Sequence, residues 1–103
     1  KLRFINRGIE DKMQLSDFRI MSSDLRPDLL IYVEYLGKQL PVVDTFLNKN
    51  TLVLLGGDKE PLSLTSLLNS TKELSESLSI FVKKDSSTRV YGFKIEGNKI
   101  IIN

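Results

Sequence analysis

The sequence predicts an α+β fold: a single small domain over residues 1–103, built on a mostly antiparallel sheet with one amphipathic helix, at about residues 62–78, packed on one face. The 103-residue length suits one domain with one core. Hydrophobic residues make up 41% and charged residues 27%, close to globular averages. Several short alternating segments flank one segment of helical spacing, and no repeat or linker divides the chain.

The N-terminal segment KLRFINRG alternates apolar and polar residues, which predicts a short strand that ends at Gly8. The following segment fits both a period of two and a loose helical stripe. We favour a strand over Gln14–Met21. Pro27 then disfavours helix in SSDLRPD and predicts a loop.

The segment LLIYVEYLGKQLPVVDTFL predicts two strands joined at Leu36–Gln39. Pro41 cannot donate to a ladder, so we expect the second strand to be an edge or to begin just after it. Glu34 lies between Tyr32 and Tyr35, where a buried carboxylate would need a partner; we expect it to face water. A turn and the strand TLVLL follow.

After Pro61 the apolar residues follow helical spacing, with leucines at 64, 67, 68, 74 and 78. This pattern predicts one helix from about Leu62 to Leu78. The run STKE has capping-box spacing and leaves open two short helices, the second beginning at Asn69 or Ser70. SIFVKK then predicts a strand, and RVYGFKIEGNKIIIN predicts a hairpin about Gly97-Asn98.

Several function classes are excluded by composition. The chain has no histidine and no cysteine, so it lacks Ser-His and Cys-His catalytic pairs, disulfides and the commonest zinc sites. Its acidic pairs do not match a calcium loop, and GGDKE does not match a phosphate-binding loop. We expect no enzyme, no cofactor, no metal and, since no apolar run approaches ~18 residues, no membrane insertion.

The first residue is Lys1 rather than Met. We therefore expect something to precede it in the full product, either a removed leader or a further part of a longer protein.

Arg89, Tyr91, Gly92 and Phe93 resemble part of the aromatic signature of RNA-recognition motifs. The resemblance implies that the aromatic side chains stack on bases. The residues themselves favour a different interpretation. Tyr91 and Phe93 share one strand face with Arg89, the alternate face is more polar, and too few residues follow Phe93 for the rest of that domain, so the aromatic residues most simply point into the core or form a protein-contact patch.

The function that we expect is a non-catalytic protein–protein interaction or assembly module, acting through sheet edges or the C-terminal hairpin. Three consecutive isoleucines cannot all point to one side of a strand, so Ile101 must be covered on the face opposite Ile100 and Ile102, by this chain or by another. A protein partner or self-association is expected, with these three residues, Tyr91 and Phe93 as the candidate contacts.

The alternative function is nucleic-acid binding through basic terminal segments. Residues 1–9 carry three basic residues and no acid, and residues 80–103 carry five basic and two acidic residues, although the net charge is only +2. Both segments would have to share a face to contact phosphates. The candidate contacts are Arg3, Arg7, Lys83, Lys84, Arg89, Lys94 and Lys99.

Overall fold

A computed structural model describes residues 13–83, 87–90 and 92–103, without the side chains of residues 35 and 87–89. These residues form two helices and seven strands. The helices are α1 (Leu15–Ser22) and α2 (Leu64–Thr71). The strands are β1 (Leu30–Tyr35), β2 (Lys38–Asn48), β3 (Thr51–Gly56), β4 (Ser79–Lys83), β5 (Ser87–Arg89), β6 (Phe93–Glu96) and β7 (Lys99–Ile102). The strand expected at the N-terminus lies outside the described residues.

The strands form one mixed sheet in the order β5-β4-β3-β2-β1-β7-β6, which curls into a half-barrel. Four pairings are antiparallel, whereas β1–β7 and β3–β4 are parallel. The α+β composition agrees with the sequence, but "mostly antiparallel" describes the sheet only in part. The two parallel pairings arise where α2 connects β3 to β4 and where the C-terminal hairpin returns beside β1.

Strand β2 lies at the centre of the sheet, so the expectation of an edge strand at Pro41 is wrong. The two-residue turn closes on the pair Tyr35–Lys38, and alternation places Pro41 opposite Tyr32 in a pair without hydrogen bonds. Strand β1 therefore offers no acceptor for the missing N–H. The Pro41 carbonyl accepts a bond from Gly57 N at 3.0 Å, where the pairing of β2 with β3 ends.

Residues 15–22 form helix α1, and the strand expected over Gln14–Met21 is wrong. Leu15 and Phe18 are buried on one side of the helix at helical spacing. A period of two places Asp17 on the same strand face as Met13 and Leu15. Instead Asp17 is the third residue of the helix, where its carboxylate accepts a bond from Gln14 N at 3.0 Å and faces the positive end of the helix dipole.

Helix α2 is shorter than the expected 62–78 helix. Ser63 is its N-cap, and its hydroxyl accepts a bond from Ser66 N at 3.0 Å. The helix ends at Thr71, whose carbonyl would accept from Ser75 N in a longer helix. Leu74 N donates to that carbonyl at 3.0 Å and the Arg19 guanidinium also donates to it. Lys72–Leu78 instead makes turns, and no second helix begins at residue 69 or 70.

The turns over residues 72–78 follow α2 in the chain and are hydrogen-bonded to the start of α1. The carbonyls of Leu78 and Glu76 accept bonds from Leu15 N and Ser16 N at 2.8 and 3.0 Å, which satisfies two N–H groups at the start of α1. Arg19 in α1 donates to Glu76 at 3.1 Å. The last part of the predicted 62–78 helix therefore caps the N-terminus of α1.

The buried cluster contains side chains from both helices and from one face of the sheet, which we call the core face. The members from β1 and β7 are Ile31, Val33, Ile100 and Ile102. The alternate residues of these strands lie on the opposite face, which we call the outer face. The helices and the core face thus share one apolar core.

Candidate interaction edge

Strand β6 is one edge of the sheet, and the phase of its hydrogen bonds decides which groups face outward. Gly92 and Asn103 exchange two backbone bonds, at 3.2 and 3.0 Å. Hydrogen-bonded pairs alternate along an antiparallel ladder, so the β6 residues opposite Ile102 and Ile100 are in pairs without hydrogen bonds. Those residues are Phe93 and Ile95. Their N–H and C=O groups point away from β7, and no described residue pairs with them.

The side chains of Phe93 and Ile95 lie on the core face but differ in exposure. Phe93 packs against the core, with its ring centroid 5.5 Å from that of Phe18 and an interplanar angle of 72°. This edge-to-face contact is favourable for two aromatic rings. Ile95 is 43% exposed and extends the core face to the rim of the sheet. The edge therefore combines outward backbone groups with one exposed branched apolar side chain.

The outer face of β6 carries charge that is locally balanced. Lys94 Nζ lies 3.7 Å from Glu34 Oε1 and 3.5 Å from Glu96 Oε2. Lys99 Nζ donates to Gln39 at 3.2 Å and lies 4.6 Å from the centroid of the Tyr32 ring. Glu34 is exposed, as its sequence position predicted, and Lys94 lies beside it. A lysine on an edge strand normally discourages strand pairing, but here two carboxylates offset its charge.

The candidate partner contacts of the C-terminal strand are not accessible in this fold. Ile100, Ile101 and Ile102 are exposed by 0%, 0% and 1%, and β7 lies between β1 and β6 rather than at an edge. Ile101 is on the face opposite its two neighbours, as strand parity requires. Phe93 is packed against Phe18 rather than presented for base stacking, and Tyr91 lies outside the described residues.

The candidate nucleic-acid contacts are not brought together on the described part of the chain. Lys94 and Lys99 share the outer face with two glutamates, whereas Lys83 is exposed at the end of β4, near the other edge of the sheet. Arg3, Arg7 and Lys84, and the side chain of Arg89, lie outside the description. Nucleic-acid binding therefore stays a prediction that no contact in the described residues favours.

Sequence reasoning missed Ile95 and Glu96 as site residues, and it gave Glu34 no partner. The signal for Ile95 was present locally. A two-residue turn at Gly97-Asn98 closes on a hydrogen-bonded pair, so the backbone N–H and C=O groups of Ile95 point away from β7. The contact between Glu34 and Lys94 depends on the order of β1, β7 and β6 in the sheet, which no local sequence pattern predicts.

No protein-family model, no curated protein and no solved structure matches this chain. Across the described ranges, neither eight-residue helix is long enough to span a membrane. Among the same residues, no three acidic side chains converge as a metal site would require.

Proposed function

We propose that this chain is a non-catalytic interaction module that accepts an extended segment of a protein partner along β6, the outer strand of its C-terminal hairpin. The outward N–H and C=O groups of Phe93 and Ile95 carry the proposal. Such groups bind a partner strand through main-chain hydrogen bonds, and side chains beside them select its sequence.

The chemistry of the partner follows from the two faces beside this edge. On the core face, Ile95 offers apolar contact to the residue opposite it in an added strand. On the outer face, Lys94 and Glu96 offer charges of both signs to the residues between. A matching segment alternates apolar residues with charged residues.

The proposed absence of catalysis is supported by the lack of histidine and cysteine in the chain.

Ile95→Pro provides a clean test of the edge. The Ile95 N–H points outward, so proline there removes an edge donor without removing a bond to β7, and proline is tolerated at such positions of edge strands. Ile95→Val is the matched control, because it keeps the N–H and a β-branched side chain.

The assay is selection of linear peptides from a random library, followed by titration of the enriched peptides against each variant. We expect alternating apolar and charged peptides, with binding at least about tenfold weaker for Ile95→Pro and unchanged for Ile95→Val. Enriched peptides that bind Ile95→Pro as tightly as the parent chain would refute edge recognition. So would the absence of any enriched peptide.

A further inference from the structure

We infer that the partner strand at this edge is β6 of a second copy, paired antiparallel about a two-fold axis through Ile95. This inference rests on the proposed function, since it assigns an occupant to the same edge. The axis is perpendicular to the sheet, so the core faces of both copies lie on the same side. Pairing would join two seven-stranded sheets into one continuous sheet.

Charge complementarity selects this register. With Ile95 on the axis, Lys94 of each copy lies opposite Glu96 of the other, and both pairs lie on the outer face. Moving the axis to Lys94 would place two lysines directly opposite each other. The strand FKIE places opposite charges on either side of Ile95, which is the pattern that a self-complementary antiparallel strand requires.

The backbone phase fits the same register. The Ile95 N–H and C=O groups point outward, so Ile95 and its copy form a hydrogen-bonded pair with two N–H···O bonds. Their side chains, each 43% exposed in the single chain, contact each other on the core face. The strand has only four residues, so the interface is small and the dimer dissociates readily.

A cysteine at the axis tests the geometry. Hydrogen-bonded antiparallel pairs have Cα atoms about 5.5 Å apart, within the range that a disulfide spans. The chain has no cysteine, so Ile95→Cys would introduce a single thiol. Ile20→Cys is the matched control, because Ile20 is 72% exposed and belongs to helix α1 rather than to β6. Under mild oxidation we expect Ile95→Cys to form disulfide dimers several times faster than Ile20→Cys. Equal rates would overturn the inference.

Charge reversal tests the register. Lys94→Glu and Glu96→Lys each place like charges opposite each other in a homodimer, whereas a mixture of the two variants restores both opposite-charge pairs. In sedimentation equilibrium we expect the dissociation constant of each variant alone to rise at least about fivefold, and mixing to recover the parent value. Dimerisation of Glu96→Lys at the parent affinity would refute this register.

The association state of the parent chain and its peptide binding keep the two proposals separate. If circular dichroism shows that Lys94→Glu is unfolded, Glu96→Lys and the two cysteine variants still decide the inference. A parent chain that stays monomeric at millimolar concentration refutes self-pairing, and it leaves the proposed function standing if selected peptides still bind in an Ile95-dependent manner. Failure of both peptide binding and dimerisation refutes both.

Discussion

Leu36→Asn should stabilise the protein. Leu36 is the first residue of the β1–β2 turn and has a φ of +53°, followed by Gly37 at +78°. Two positive φ angles define the type I′ turn, in which Asn-Gly is the preferred pair. A leucine in this left-handed region costs roughly 1–2 kcal/mol, because its Cβ crowds the following carbonyl. The Leu36 side chain is 84% exposed, so little packing offsets that cost.

Asparagine tolerates the left-handed region, so we expect the free energy of unfolding to rise by about 1 kcal/mol and Tm to rise by about 4–8 °C for a domain of this size. Urea titration followed by circular dichroism measures the change, with the slope m unchanged if the unfolded state is unaffected. Leu47→Asn is the control: Leu47 is 51% exposed but lies in β2, where asparagine is unfavourable, so no gain is expected. If Leu36→Asn proved no more stable than the parent chain, the strain assigned to this turn would be refuted.

Three further substitutions, two of them with a control variant, test the core and the cap of α2 by urea titration. Phe18→Ala removes a ring that is 1% exposed and should cost about 3–5 kcal/mol; a loss under about 1 kcal/mol would contradict its place in the core. Ser63→Ala removes the N-cap of α2 and should cost about 1 kcal/mol, whereas Ser63→Asp should be nearly neutral; equal stability of both variants would count against the cap. Ile101→Lys buries a charge at a fully buried position and should unfold the domain, while Ile95→Lys at the rim should leave it folded. A folded Ile101→Lys variant would show that the outer face of β7 is open.

Local sequence signals predicted the candidate edge in part. Gly97 has a φ of +58° and forms the expected turn with Asn98, so the C-terminal hairpin is confirmed. The interpretation that Phe93 points into the core follows from strand parity, and the structure places its ring against Phe18. Nothing near β6 in the sequence shows that it is an edge, however. Strand β6 is outermost because β7 pairs with β1 on its other side, and more than sixty residues separate β1 from β7 in the chain.

The sequence by itself determined the features that depend on neighbouring residues: the β1–β2 turn, a helix that begins close to Leu62, and the opposite faces of Ile100 and Ile101. Turn chemistry and the spacing of apolar residues act within a few residues, so they can be recognised locally. Tertiary structure decided that Gln14–Met21 is not a strand, that α2 ends at Thr71, and that β2 is central while β6 is an edge. These outcomes depend on contacts between distant segments, such as the bond from Arg19 to the Thr71 carbonyl, because local propensities are weak and tertiary context overrides them.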